Sequence, residues 1–365
     1  MESYGQHIHW FVTSRCNDNC IYCFKPDTQT SEDREQLVKL AGILAESGVK
    51  KVTIGGGDPS LVKDLDSALK ILHQGRTKIS YHTNGLLLTS KKIETLARFV
   101  DDIALPIDST TLGIQETLRS RQFVSTYEQL PELAKAIKDN GMQLGWHTVF
   151  TALNSKEMPK LFKKLEKTDF DYWRIYEFNY DLARMRVLKQ ADKAKNKKQK
   201  LELFERYKKV IAISPTGNPE KGYSDCLYAY FLLAEEKMLE KEDSRIQFVG
   251  IRDPPFHNHP YTFLENNGDV SFYSWFSESK RELVGNILTE PYDSILQKLE
   301  LIADHPWDEH DIAAGLLDKP VWARVEEGSY AIEEVEDISP RYLSQVEKLA
   351  RLYLERESSL NLVEC

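Results

Sequence analysis

Strands and helices alternate along the first half of the chain, and this alternation constrains the fold more than any other feature. Amphipathic segments, several of them ended by glycine, separate the strands and predict helices. A repeated strand-then-helix order favours a parallel sheet with helices outside it, so we expect an α/β fold. The apolar runs that predict the six strands lie at residues 8–12, 51–54, 78–82, 103–107, 143–150 and 172–178.

The pattern changes beyond Tyr180. A lysine-rich run at 189–200 leads into an amphipathic helix, and helical segments dominate from Pro291 onward, including 342–357. The hairpin turn Asn266-Asn267-Gly268-Asp269 joins two of three short predicted strands, which lie at 246–251, 261–264 and 270–276. We therefore divide the chain into an α/β domain at 1–180 and an α+β extension at 181–365.

Composition narrows the class of protein. The 365 residues are 41% hydrophobic, which is enough for a large core without disulfide staples. A formal charge of −9 opposes non-specific binding to nucleic acid. We find no signal peptide and no apolar stretch long enough to span a membrane. Two of the five cysteines, Cys226 and Cys365, are isolated, which fits a reducing compartment, so we expect a cytoplasmic protein.

Three cysteines follow the first predicted strand within eight residues: Cys16, Cys20 and Cys23. Thiolates this close repel unless a cation or a disulfide neutralises them. Iron–sulfur clusters are usually held by four cysteines, so three would leave one iron with an open position. A zinc site would need a fourth ligand, which His7 or His9 supplies only awkwardly from the preceding strand. A disulfide framework does not suit so long a chain.

The C-x3-C-x2-C spacing resembles the cysteine motif of the radical S-adenosyl-L-methionine (SAM) superfamily. A second segment, 52–59, is similar to the family's Gly-Gly-Glu-Pro turn, with Asp58 in place of Glu. The resemblance covers roughly the first half of the chain. It implies a partial (β/α)6 TIM-like barrel. It also implies a 4Fe-4S cluster bound by Cys16, Cys20 and Cys23, in which SAM chelates the fourth iron. It further implies an electron donor such as flavodoxin or ferredoxin.

The SAM site implied by this resemblance lies where the strands of a parallel sheet end. Glycines allow the backbone to approach the methionine ammonium closely, the backbone of Tyr22 would meet adenine, and polar side chains would meet the ribose. Each polar residue at a strand end is equally suited to cap a helix, and Asp58 to cap a turn. The candidate contacts are Tyr22, Gly55, Gly56, Gly57, Asp58, Thr83, Asn84, Asp108, Ser109, Thr148 and Arg174.

Histidines and arginines near the barrel mouth are candidates for contacts with substrate. We favour a structural role for at least one of His82 and His147. His257 and His259 lie in a proline-rich loop and lack a third metal ligand, so an exposed or lid position is expected for them. Guanidinium groups suit an anionic substrate, with ion pairs to nearby acids as the alternative. The arginines concerned are Arg119, Arg121 and Arg174.

We expect an enzyme that cleaves SAM reductively to a 5'-deoxyadenosyl radical and abstracts hydrogen from a small-molecule or peptide substrate held under the extension. The extension is similar to those that carry auxiliary clusters, but its hairpin has no cysteine. A looser similarity to the viperin-like branch, through Cys23-Phe24 and Arg174, makes a nucleoside triphosphate dehydratase the enzyme alternative. A non-catalytic, zinc-stabilised binding protein is the alternative from another class.

Overall fold

A computed structural model describes most of the first half of the chain and parts of the second. Arg121, His257, His259, Cys226, Cys365 and the predicted helix at 342–357 lie outside the described residues. The described residues are 5–23, 25, 33–120, 122–151, 153–178, 187, 191, 194–211, 243–249, 262–273, 281–303, 311–314, 321–326 and 329–333.

Six parallel strands follow one another across the sheet in chain order, as predicted. They are β1 (His7–Thr13), β2 (Lys51–Gly56), β3 (Lys78–His82), β4 (Asp102–Pro106), β5 (Gln143–Phe150) and β6 (Tyr172–Glu177). The helices between them are α1 (Arg34–Glu46), α2 (Leu65–Gln74), α3 (Ser90–Leu96), α4 (Leu112–Leu118), α5 (Phe123–Asp139) and α6 (Met158–Leu165). Short 3-10 helices at Pro59–Leu61 and Ser155–Glu157 precede α2 and α6.

The second half of the chain extends this sheet at both edges. After α7 (Lys197–Ile211), strand β7 (Ile246–Val249) pairs parallel with β6, and β8 (Thr262–Glu265) pairs parallel with β1. Strands β9 (Asp269–Tyr273) and β10 (Arg281–Asn286) continue from β8 as an antiparallel meander, which α8 (Tyr292–Ala303) follows. The sheet runs β10-β9-β8-β1-β2-β3-β4-β5-β6-β7 and does not close, so the barrel is partial.

A second sheet lies near the carboxyl end of the chain. It has three antiparallel strands, β11 (Asp311–Ala314), β12 (Val321–Glu326) and β13 (Ser329–Glu333), in that order. These strands lie where helical segments were predicted, beyond Pro291, so that prediction is wrong for them. Among the described residues, no helix has the length and apolar character required to cross a membrane.

The two faces of the main sheet differ in polarity because side chains alternate along each strand. Ile8, Trp10 and Val12 of β1 lie fully buried on the helix-covered face, together with the apolar stripe of α1 (Leu37, Leu40, Ala41 and Leu44). On the opposite face, which we call the open face, the same strand carries the half-buried His7 and His9. The helix-covered face supplies the core, and the open face is suited to polar chemistry.

Several predicted boundaries differ from the observed ones. The helix expected at 127–140 begins at Phe123, and α4, which was not predicted, precedes it. The helix expected from Leu61 begins at Leu65, because Asp58 caps a separate 3-10 turn before it. The predicted hairpin at Asn266-Asn267-Gly268-Asp269 is confirmed, and Gly268 adopts a φ of 89° there.

A buried amide fastens this hairpin to the first strand. The fully buried Asn266 accepts a hydrogen bond from Trp10 Nε1 at 2.9 Å, and its Nδ2 donates to the Val12 carbonyl. The Gln36 side chain of α1 also donates to the Asn266 carbonyl. The extension therefore shares hydrogen bonds with the barrel as well as core contacts.

We predict that Asn266→Ala destabilises the protein. The change leaves the buried Trp10 N–H and the Val12 carbonyl unpaired, and each unpaired group costs about 1–3 kcal/mol. Urea unfolding followed by circular dichroism measures the loss. The control is Asn267→Ala, which removes an exposed side chain one residue along and is expected to cost about 0.5 kcal/mol. Equal losses for the two variants would contradict the anchoring role.

Candidate active site

The cysteine loop rests directly on the glycine turn that follows β2. The Gly57 N–H donates to the Thr13 carbonyl at 2.6 Å, and the Asp58 N–H donates to the Arg15 carbonyl at 2.8 Å. A Cβ on Gly57 would lie 1.8 Å from the Arg15 oxygen. Gly56 has a φ of 123°, and a Cβ there would lie 2.2 Å from the Thr13 oxygen. Glycine is required at both positions because the loop backbone occupies the space of a side chain.

Asp58 connects the ends of β2 and β3. Its buried carboxylate accepts hydrogen bonds from the Ser60 N–H at 2.9 Å, the Thr83 hydroxyl at 2.9 Å and the Asn84 N–H at 2.7 Å. Burial raises the pKa of Asp58, although these hydrogen bonds oppose the shift. Asp58, Thr83 and Asn84 are therefore brought together as predicted, and the observed contacts of Asp58 are those of a turn cap.

Asn84 extends this connection to the cysteines. Its Nδ2 donates to Asn17 Oδ1 at 2.7 Å and lies 3.6 Å from Cys16 Sγ. The Asp18 N–H also points at Cys16 Sγ, at 3.4 Å. Hydrogen bonds to sulfur stabilise a thiolate, so these donors suit a ligand of a cluster.

The three thiols are close enough to affect one another's ionisation. Burial raises the pKa of Cys16, and Cys23 raises it further. Burial also raises the pKa of Cys20 well above its usual value, with Arg119 opposing and Asp18, Cys23 and Cys16 adding to the shift. Burial therefore disfavours the thiolate form of these cysteines unless bound cations neutralise the charge. The irons of a cluster would provide those cations. This donor set fits a 4Fe-4S cluster.

The zinc alternative gains no support from these positions. Among the described residues, no three His, Cys, Asp or Glu side chains converge as ligands of a single metal ion. A cluster distributes its cysteines over different irons, so it does not require that convergence.

A buried ionic network lies behind the cysteine loop. Asp108 Oδ2 accepts hydrogen bonds from the Tyr22 hydroxyl at 2.5 Å and from Arg119 Nε at 2.7 Å, while Oδ1 accepts from the Val149 N–H at 2.9 Å. For Arg119 the sequence left two alternatives, an anionic substrate and ion pairs with nearby acids. In the structure Arg119 pairs with acids and contacts Cys20 Sγ at 3.5 Å.

Ser109 and Thr148 are fully buried and hydrogen bonded within the protein. The Ser109 hydroxyl donates to Glu157, whose carboxylate also accepts from Thr111 at 2.6 Å. The Thr148 hydroxyl donates to the Ile107 carbonyl and accepts from Trp173 Nε1 at 2.9 Å. The Thr148 contacts join the end of β4 to β5 and β6, and the Ser109 contact joins the segment after β4 to the 3-10 helix at Ser155–Glu157. We therefore assign both residues a structural role and leave them out of the proposed SAM contacts.

The open face carries a polar patch across β3, β5 and β6. The His82 and His147 rings meet edge to face with centroids 4.6 Å apart, and the Tyr176 hydroxyl lies 3.5 Å from His147 Nε2. Arg174 Nε donates to Gln247 at 2.9 Å. Burial lowers the pKa of both histidines well below the usual value, and Arg174 lowers both further. The histidines are therefore neutral near pH 7, beside a guanidinium.

Two residues that contact the cysteine loop were not predicted from the sequence. Arg206 of α7 donates to the carbonyls of Thr117 at 2.5 Å and Asn19 at 3.0 Å, and also to the Arg119 carbonyl, so it fastens the cysteine loop to the end of α4. Asp18 was also overlooked, although its place between two cysteines was a signal for it. No comparable signal marks Arg206, because it is one of several basic residues on the helix that follows the lysine-rich run.

Comparison with known proteins supports the assignment made from the motifs. Residues 10–172 match the family model of the Radical SAM superfamily. The matched residues, a little under half of the chain, therefore form a radical SAM domain. Enzymes of this superfamily use a 4Fe-4S cluster and SAM.

The sequence relatives include GTP 3',8-cyclases. A probable GTP 3',8-cyclase of Methanocaldococcus jannaschii is 29% identical over 158 residues, 41% of this chain and 51% of the relative. The GTP 3',8-cyclase of Helicobacter pylori is 26% identical over 228 residues, 60% of this chain and 70% of the relative. The chain thus spans about half the length of the first of these relatives.

Two of the solved structures that resemble this fold contain bound SAM. Streptococcus suis SuiB bound to SAM superposes with a TM-score of 0.56 at 15% identity, over 83% of this chain and 67% of SuiB. The enzyme anSMEcpe with bound SAM gives a TM-score of 0.54 at 14% identity, over 81% of each chain. At these identities the likeness concerns the fold, and it agrees with the open sheet described above.

We predict that Gly57→Ala disturbs the cysteine loop. The added methyl group would clash with the Arg15 carbonyl, and overpacking of this kind costs about 1–3 kcal/mol. Thermal melting should show a lower midpoint, and the purified variant should retain less iron. Gly42→Ala in α1 is the control, because the surroundings of Gly42 leave room for the added Cβ. A melting temperature and iron content equal to those of the parent would contradict the contact.

Proposed function

We propose that this protein is a SAM-cleaving enzyme that holds a 4Fe-4S cluster on Cys16, Cys20 and Cys23. The observation that carries the proposal is the placement of three neighbouring thiols beside the glycine turn and Asn84, at the carboxyl edge of a parallel sheet. When bound, the cluster supplies the electron that cleaves SAM to a 5'-deoxyadenosyl radical. The radical would then abstract hydrogen from the substrate.

The protein's own residues would bind and orient the cofactors. Asn84 and the Asp18 N–H donate toward Cys16, and the glycine turn holds the start of the cysteine loop through two backbone hydrogen bonds. The described part of the chain leaves open the space that a Cβ on Gly55 would enter, so the methionine end of SAM can approach the backbone there. Tyr22, whose hydroxyl donates to the fully buried Asp108, would border the adenosine end, with Asp108 orienting it from inside the protein. Thr83 and Asn84 would complete this wall of the site.

We further propose a substrate with an anionic group. Arg174 is half buried on the open face, where the neighbouring histidines are neutral, so its guanidinium is a cation that can bind an anionic group of the substrate. The relatives named GTP 3',8-cyclase support a nucleoside triphosphate. A peptide is the second candidate, since the fold also resembles SuiB bound to its precursor peptide SuiA, with a TM-score of 0.57.

The proposed domain organisation keeps the barrel at 1–180 and the extension at 181–365. Strands β7 to β10 continue the barrel's sheet, which supports a fixed position for the extension beside the substrate. We propose that the extension covers the bound substrate and that a flavodoxin or a ferredoxin delivers the electron.

We predict that a variant with Cys16→Ala, Cys20→Ala and Cys23→Ala forms no 5'-deoxyadenosine from SAM. Without its thiolates the loop cannot hold the cluster that supplies the electron. The assay uses anaerobic, reconstituted protein with dithionite and chromatographic detection of deoxyadenosine. Cys365→Ala, which changes a cysteine outside the triad, should keep the parent rate. Product formation by the triple variant at that rate would refute the proposed function.

We predict that Arg174→Gln weakens binding of GTP by roughly 10- to 100-fold, since a lost charge-assisted hydrogen bond is worth about 1.5–3 kcal/mol. Its substrate-free cleavage of SAM should match that of the parent. Calorimetric titration with GTP measures the affinity, and the exposed Arg98→Gln provides a matched loss of charge. If the parent binds no nucleoside triphosphate at millimolar concentration, the nucleotide candidate is wrong.

A further inference from the structure

Two buried charges of opposite sign lie against the sulfur of Cys20. Arg119 Nη1 is 3.5 Å from Cys20 Sγ, and Asp18 Oδ2 is 3.2 Å from the same atom. The guanidinium and the carboxylate are 3.7 Å apart, and their side chains are 7% and 0% exposed. Because water and salt screen buried charges weakly, both charges act strongly on this sulfur.

Contacts on several sides hold the guanidinium in place. Arg119 Nε donates to Asp108 Oδ2 at 2.7 Å. The guanidinium lies over the rings of Tyr22 and Phe123, 5.6 and 4.6 Å from their centroids. Moving this cation away from Cys20 would leave Asp108 without its ion pair in a buried site, which is costly.

The carboxylate is held equally firmly. Asp18 Oδ1 accepts hydrogen bonds from the Ser120 hydroxyl at 2.5 Å and the Asn19 N–H at 2.8 Å, which directs Oδ2 at Cys20. In the described structure the Cys20 thiol donates to that oxygen. Once Cys20 ligates iron as a thiolate this donor is gone, and a fixed negative charge then faces the sulfur.

We propose that Asp18 and Arg119 set the reduction potential of the cluster from opposite directions, an inference that rests on the cluster placement proposed above. Reduction adds one electron, and hence one negative charge, to the cluster. A cation at a ligating sulfur stabilises the reduced form and raises the potential, whereas a carboxylate lowers it. Asp18 would keep the potential of the cluster low enough to reduce SAM, and Arg119 would keep it high enough for the electron donor to reduce the cluster. Both act through Cys20, as positioning residues.

The test is a redox titration of anaerobically reconstituted protein, followed by electron paramagnetic resonance. Asp18→Asn preserves the size of the side chain and its acceptor for Ser120 and Asn19 but removes the charge, so the midpoint potential should shift upward. Arg119→Gln should shift it downward, and Arg119→Lys, which keeps the charge, should fall between Arg119→Gln and the parent.

Asp139→Asn is the matched control. Its carboxylate is 59% exposed and pairs with Lys135 at the end of α5, the end that leads into the start of β5 and so lies opposite the cysteine loop. Its midpoint should equal that of the parent. A loss of fold stability would not shift the midpoint potential upward in one variant and downward in the other. Opposite shifts in Asp18→Asn and Arg119→Gln therefore indicate an effect of charge on the potential.

The inference is overturned if Asp18→Asn, with full iron content, has the midpoint of the parent. Should Arg119→Gln fail to retain its cluster, Asp18→Asn and Arg119→Lys decide the question. A parent protein that binds no cluster would instead remove the proposed function, which distinguishes the two failures.

Discussion

The close contact between the glycine turn and the cysteine loop determines where the chemistry of this protein takes place. Two backbone N–H groups, of Gly57 and Asp58, donate to the Thr13 and Arg15 carbonyls, so the end of β2 supports the chain immediately before Cys16. This contact requires glycine at positions 56 and 57, where a Cβ would clash with the loop backbone. Asp58 then extends the support to Thr83 and Asn84, and Asn84 returns to Cys16. One set of hydrogen bonds thus joins three strand ends to the thiols.

Buried charge is the second constraint. Asp18, Asp108 and Arg119 all lie in the protein interior next to the cysteine loop. Each carboxylate is satisfied by at least two donors besides the cation, which offsets the cost of desolvation. Arg206 reaches the same region from α7, across a long stretch of sequence. The site therefore depends on residues of the extension as well as of the barrel.

Local patterns in the sequence predicted the barrel well, because its strands are largely apolar runs. Strand β5 was predicted with its observed bounds, and β6 to within one residue. Strand β10 was not predicted, because it begins with the two charged residues Arg281 and Glu282 and therefore lacks a clear alternation of apolar and polar side chains. The polar contacts were harder to predict: Arg119 has several acids within reach along the chain, and only the fold determines that it meets Asp18 and Asp108. Ser109 and Thr148 sit at strand ends as expected, yet burial directs their hydroxyls inward.

The central claim is that three thiolates of one loop hold a cluster with one iron open to SAM. Its most direct test is the electron paramagnetic resonance spectrum of the reduced, reconstituted protein before and after SAM is added. The account predicts about four irons per chain, a signal of a reduced cluster, and a change in that signal when SAM binds. A protein without charge-transfer absorbance after reconstitution, or a cluster signal that SAM leaves unchanged, would contradict it.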